Sequence, residues 1–336
     1  MSEVQSDMPT AAAPVSVRTA INKALGELLE ADESVLLIGE DICDPGGGVF
    51  GVTRGLSTRY PTRVRDTPIS EEAITGAAIG AALAGKRPIA EIMFMDFLAV
   101  CLDQLANHAA KLRYMSGGKS KVPMVVRTAV GAGLGVGAQH SQMLEAWLIH
   151  TPGLNVVVPS NPTDARALLH SCVRDDDPCV FIEQVPNYAF KADLEDVVVP
   201  LGSAALRRSG DDVTVVTYGR QVHDALAVAG QLENEGIGVE VIDLRSLSPL
   251  DFQTIATSVH KTRRAVVLHE AVTTAGFGAE LATLISEECF GELLAPVLRA
   301  GALDVPLPYA KNLERLALPS QTRLTEAIRR SAGETA

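Results

Sequence analysis

The chain has 336 residues, 47% hydrophobic, 21% charged and only 4% aromatic, with 29 Lys and Arg against 41 Asp and Glu for a net charge of −12. That length predicts about two domains with ample chain for their cores, and the apolar fraction excludes a disordered polypeptide. The acidic balance argues against a general nucleic-acid binder or a coat for anionic membranes, and leaves open attraction to a basic protein partner.

Residues 1–15 read as a loose tail with no basic start or apolar signal-like block. From Ser16, a helix-capping type, Val17, Ala20, Ile21, Ala24, Leu25, Leu28 and Leu29 recur at helical spacing. The apolar run Val35–Ile38, closed by Gly39, predicts a buried strand. A helix follows across Glu71–Leu83, rich in Ala and Gly and startable by Ser70. Next come a strand at Pro88–Phe94, a helix over Phe97–Tyr114, a strand at Pro123–Arg127 and a helix near Gln142–His150. Strand Leu154–Val158, helix Pro162–Arg174 and strand Cys179–Glu183 complete this half.

The rhythm then lapses through Val185–Ser203, which carries two prolines and mixed charge, and the linker is placed there, at 191–204. A second alternation follows, with strands at Val213–Tyr218, Val239–Leu244, Ala265–His269 and Pro296–Arg299. Helices are predicted at Val222–Glu235, Leu250–Val259, Gly278–Glu288 and from Thr322 onward. Such alternation implies crossover connections and mostly parallel sheets, hence an α/β chain of two domains. No run approaches the roughly 18–20 apolar residues of a bilayer span. The five cysteines are scattered without C-x-x-C spacing, which points to neither a disulfide framework nor a thiolate zinc site. A soluble, cytoplasmic protein is expected.

Two glycine runs invite a nucleotide reading. Gly46 to Gly51 formally matches G-x-G-x-x-G, but the strand before it ends near Gly39 and Pro45 intervenes, so the tight strand-to-helix turn is missing. A loop is the better reading. Gly131, Gly133, Gly135 and Gly137 lead into Gln139-His140-Ser141-Gln142, between a strand and a helix, where α/β proteins place chemistry. By itself His140 reads equally as a catalyst or as a neighbour of a helix cap. Glu71 and Glu72 in a first helical turn have a sufficient explanation in the helix dipole. Asp175-Asp176-Asp177 reads first as a solvated turn. No H-E-x-x-H, G-x-S-x-G or Walker A loop is present.

Taken in order, a set of segments is more specific than any one of them. They are Asp66-Thr67-Pro68-Ile69-Ser70-Glu71, Arg87-Pro88-Ile89-Ala90-Glu91, Lys111 to Gly118, Gln139 to Gln142, Thr151-Pro152-Gly153-Leu154, Val241 to Asp251 and His269-Glu270-Ala271. From about Ser16 to Arg330 the chain resembles the β subunit of the E1 component of 2-oxoacid dehydrogenase complexes, nearer the pyruvate and acetoin branches than the branched-chain branch.

The resemblance implies two transketolase-like domains, a pyrimidine-binding one at 16–190 and a C-terminal-like one at 205–336. It also implies thiamine diphosphate as cofactor. Glu71 would hydrogen-bond the cofactor's aminopyrimidine and favour the imino tautomer that takes the thiazolium C2 proton. Met93 and Phe97 would lie beside that ring, although Phe97 reads equally as a core aromatic. His140 would orient the bound intermediate or move a proton during acyl transfer, for which a pKa near neutrality is suitable. Met124, Cys172, Val173, Asp175 and Asp177 fall where some relatives hold a structural potassium ion.

The Gly-Asp-Gly segment through which thiamine enzymes bind Mg²⁺ and the diphosphate is absent from this sequence. The expected partner is therefore a separate α subunit carrying the Mg²⁺ ligands, in an α2β2 heterotetramer. Further expected partners are a 2-oxo acid substrate, pyruvate first, and a lipoyl-bearing E2. Neither nucleic acid nor membrane is expected. Acetoin cleavage, acyloin formation and a non-catalytic docking subunit are the alternatives. An acidic face around Glu287, Glu288 and Glu292 is the expected contact for a basic E2 domain.

Overall fold

The computed structural model describes residues 13–333. Most of the predicted tail lies outside the described residues. Its last residue, however, is ordered: Val15–Ser16 pairs antiparallel with Lys191–Ala192, so the segment read as the start of the linker opens in a strand. Ser16 caps helix Val17–Ala31 by accepting from the Thr19 N–H, and the predicted apolar stripe is buried.

The first domain is built on a seven-stranded sheet. In spatial order its strands are Ser246–Ser248, Asn155–Val157, Cys179–Gln184, Val125–Val130, Arg87–Ile92, Val35–Gly39 and Val64–Asp66. All are parallel except the first, which runs antiparallel to its neighbour and comes from the second half of the chain. The second domain has a five-stranded sheet in the order Leu298–Ala302, Ala265–Val272, Val213–Thr217, Val239–Asp243 and Ala205–Arg208. It too is parallel apart from Ala205–Arg208. Helices flank both sheets, so the architecture is two α/β domains. One hydrophobic cluster is continuous across them, from Ile74 and Met95 to Tyr218, Phe277 and Ile285. All five cysteines are free thiols.

Helices Glu71–Leu83 and Pro162–Arg174 match their predicted limits. The helix expected over Phe97–Tyr114 does not form as one piece. A 3-10 turn at Met95–Ala99, a π-helical turn at Gln104–Ala109 and a short helix Ala110–Met115 replace it. The buried residues Met95, Leu98, Cys101, Leu105 and Ala109 keep a spacing of three or four through the first two. Their periodicity therefore looked like one α-helix. Ser70 sits at the expected N-cap position, but its side chain makes no capping hydrogen bond. Strands Val64–Asp66, Ala205–Arg208 and Ser246–Ser248 and helices Leu56–Arg59 and Lys311–Ala317 are short elements with no periodic signal of their own. The Gly46–Gly51 run lies in a succession of turns, with Gly47 at φ +70° against the Arg54 backbone, so no dinucleotide turn exists there.

Candidate active site at the carboxyl edge of the first sheet

Four neighbouring parallel strands, Val125–Val130, Arg87–Ile92, Val35–Gly39 and Val64–Asp66, end on the same edge. In open α/β sheets this is where ligands bind. The first strand continues into the glycine loop and His140, the second into Met93–Phe97, the third into Glu40, and the fourth through Thr67 to Glu71. The sequence thus delivers its candidate residues from four directions onto one rim.

His140 is half-buried and lies edge-on to two aromatic rings, Phe94 at 4.8 Å and Phe97 at 5.4 Å between centroids. Its carbonyl accepts from the Gly131 N–H at 3.0 Å, closing the loop on itself. A Cβ on Gly131 would fall 2.4 Å from that carbonyl oxygen, so only glycine fits. Asp96, buried on the same turn as Phe97, accepts from the Gln142 side chain at 2.8 Å and from its backbone N–H at 3.3 Å. The carboxylate therefore ties the Phe97 turn to the His140 segment.

Glu71 starts its helix half-buried, and its carboxylate has no hydrogen bond or ion pair with the described residues. Its charge is felt by both neighbours. Burial raises the Glu40 carboxyl, and the charges of Asp41 and Glu71 add to the rise. Burial likewise pushes the Cys101 thiol up to about 11, with Glu71 contributing. An unpaired carboxylate on the same sheet edge as an aromatic cluster suits the ring nitrogen of an aminopyrimidine, a donor set compatible with the pyrimidine half of thiamine diphosphate.

Met93 lines something different: a small cavity of about 10 Å³, room for roughly one water, over a buried ion network. There Arg127 donates to Glu183 at 2.7 and 3.0 Å and to Glu91 at 2.7 Å, while Tyr188 Oη donates to Glu183 at 2.6 Å. Burial pulls the Arg127 guanidinium down, but the charges of Glu183 and Glu91 outweigh it and hold it above its usual value. Burial raises Glu91, and Glu183 adds to this against the pull of Arg127.

The five residues assigned to potassium lie around the end of helix Pro162–Arg174 and the adjoining strands. Arg87 Nη1 already donates to the carbonyls of Val173 at 2.7 Å and Asp175 at 2.8 Å, and Met124 O accepts from Cys179 N at 2.9 Å. Asp177 pairs with Arg113 at 2.6 Å. The carbonyls of Val173, Asp175 and Met124 each retain a second lone pair beside these hydrogen bonds. Among the described residues, no cluster of three or more His, Cys, Asp or Glu is arranged for a metal.

Sequence reasoning missed Glu40, Phe94 and Asp96. The signal for the last two was present: an Asp inside the apolar run Ile92-Met93-Phe94-Met95-Asp96-Phe97-Leu98 needs a partner if buried.

Comparison with known proteins decides the family. Residues 13–191 match the family model of the transketolase pyrimidine-binding domain, and residues 202–324 that of the transketolase C-terminal domain. The chain is 44% identical over 328 residues to the acetoin:2,6-dichlorophenolindophenol oxidoreductase β subunit of Cupriavidus necator, covering 94% of this chain and 97% of that one. It is 43% identical over 319 residues to the pyruvate dehydrogenase E1 β subunit of Rickettsia felis, covering 94% and 98%. The chain belongs to this family of E1 β subunits.

Among solved structures, a split-gene transketolase described as an inactive β4 tetramer superposes with a TM-score of 0.80 at 23% identity, covering 95% of this chain and 99% of that one. At that identity it supports the transketolase-like fold of this E1 β chain and nothing more. No helix among the described residues is long and apolar enough to cross a membrane.

Proposed function

We propose that this E1 β subunit completes the active site of a thiamine-diphosphate enzyme that decarboxylates a 2-oxo acid, pyruvate first, and passes the acyl unit to a lipoyl group on E2. The observation that carries the reading is the convergence of an unpaired Glu71 carboxylate and the Phe94–Phe97–His140 ring cluster on one sheet edge. Bound thiamine diphosphate would supply the carbanion chemistry. Glu71 holds a proton at the aminopyrimidine nitrogen, and the two phenylalanines exclude water. His140, held edge-on, moves or holds a proton at the substrate oxygen. Met93 has its closest supported role in the cavity beside the ion network. Acetoin cleavage is the second reading, favoured by the 44% identity to acetoin oxidoreductase β subunits from two bacteria.

The diphosphate and its Mg²⁺ are assigned to a separate α subunit in an α2β2 assembly. In support, helix Glu71–Leu83 is apolar around its circumference, yet among the described residues nothing beyond the helix's own adjacent backbone lies within 4 Å of a Cβ built on Gly76 or Gly80. Such a helix is ordinarily covered. For E2, the exposed Glu287, Glu288 and Glu292 offer an acidic face, with Phe290 and Arg299 beside it. Salt should weaken docking there.

The purified chain with thiamine diphosphate, Mg²⁺ and pyruvate should release no CO2 until an α subunit is added. Full turnover by the chain alone would overturn the division of labour. Comparing pyruvate with acetoin in the reconstituted enzyme decides between the two substrates.

A further inference from the structure

The loop Gly131–Gly137 is met at three points by one segment of the second domain. Gly133 N–H donates to Glu314 Oε1 at 2.9 Å across 181 residues of sequence. At Gly135, φ +73°, a Cβ would lie 3.0 Å from both the Tyr309 carbonyl and Lys311 Cγ. At Gly137, φ +82°, it would lie 2.6 Å from the Tyr309 ring. The alternate glycines are therefore places where backbone in the left-handed region meets a segment from the other domain. That segment is itself anchored: Leu303 N–H donates to Ala317 O at 2.8 Å, and Arg323 of the last helix donates to Leu318 O at 3.3 Å.

Glu314 is fully buried; among the described residues it makes no ion pair and its Oε2 has no hydrogen-bond partner. A carboxylate with one backbone donor is a poor way to stabilise a domain contact, because its desolvation is only partly offset. It is a good way to hold one loop N–H in one place. We propose that Tyr309–Ala317 is a strap from the second domain that fixes the glycine loop, with Glu314 and Tyr309 acting as positioning residues for His140. The role of His140 in turnover rests on the proposed function; the strap does not.

The test uses the full chain. The imidazole Cε1–H resonance of His140, assigned by its loss in His140→Gln, is followed by NMR through a pH titration. Hydrogen exchange over residues 131–142 is measured in parallel. Glu314→Ala and Tyr309→Ala should shift or broaden the His140 signal and speed loop exchange about tenfold or more, while the exposed His108 and His150 stay unchanged. Glu314→Gln, whose amide oxygen can still accept from Gly133, should stay near wild type.

Unchanged His140 signals and loop exchange in both Ala variants would overturn the strap, as would a uniform shift of every histidine. Should Glu314→Ala fail to fold, Tyr309→Ala alters a side chain that is 77% exposed and carries the test. If His140→Gln proves fully active while the strap variants still loosen the loop, the catalytic assignment fails and the strap stands.

Discussion

The Tyr218 hydroxyl donates to Glu145 Oε1 at 2.7 Å, joining the second domain to the first inside a core that excludes water from both residues. Nearby, Gln184 of the first domain donates to Gln221, which donates to Glu270, both of the second, at 3.0 Å each. The second oxygens of Glu145 and Glu270 have no partner.

Burial pushes Glu145 from 4.5 to about 7, and the charge of Glu270 adds to the rise against the Tyr218 hydrogen bond. A carboxyl raised in the folded state binds its proton more tightly there than in the unfolded chain. Its contribution is complete below pH 4.5 and is lost as pH rises through 7. Glu145→Gln should therefore be more stable than wild type at pH 8, by on the order of 2 kcal/mol, with the difference shrinking toward pH 5. Denaturant melts at the two pH values check this. Other groups facing the site, Arg220 and Asp224 near Glu270, are common to both proteins and cancel in the difference.

Among the described residues, Arg127 is the one cation paired with Glu91 and Glu183. Arg127→Met leaves two buried carboxylates without their countercharge, Glu183 keeping only the Tyr188 hydroxyl, which costs about 3–5 kcal/mol. The loss should be larger at pH 8 than at pH 5, because Glu91, already raised by burial, can take a proton as the pH falls. Thermal melts at both values provide the measurement, and a penalty independent of pH would mean the network relaxes instead of staying buried.

In the reconstituted enzyme, Glu71→Gln should lower kcat by about 100-fold or more, since the amide cannot carry the proton. His140→Ala should impair acyl transfer to lipoylated E2 at least as much as it impairs decarboxylation. Single-turnover CO2 release, set against acyl-lipoyl formation, separates the two effects.

If a potassium ion joins Arg87 at the carbonyls of Val173 and Asp175, KCl should raise the Tm above that in choline chloride at equal ionic strength. Arg87→Ala should change that difference, because the guanidinium and the ion share acceptors. Identical melts in both salts would remove the ion.

The sequence made the buried parallel strands and long amphipathic helices legible, because burial on one or both faces writes a period into the chain. Helix Pro162–Arg174 has its predicted limits, and the structure gives the physical reason for its start: Asn161 accepts from Asp164 N–H and a proline follows it. Strand Ser246–Ser248 was not, since three residues carry no period and their partner Val156–Val157 lies about ninety positions away. Within the site, family segments pointed to Glu71 and His140, the apolar run around Asp96 signalled only that it needs a partner and not which one, and Glu314 carried no signal. Their meaning comes from contacts 46 and 181 residues distant, and no local pattern records such a distance.

The strand Ser246–Ser248 also bears on how this polypeptide can be taken apart. Cutting at the linker would not yield two self-sufficient pieces. A fragment ending near residue 204 would present the bare backbone of Asn155–Val157, an unpaired strand edge ready to recruit another molecule. Whoever expresses the first half by itself should expect inclusion bodies or strand-swapped assemblies. Appending a short peptide spanning Arg245–Pro249 is the natural remedy.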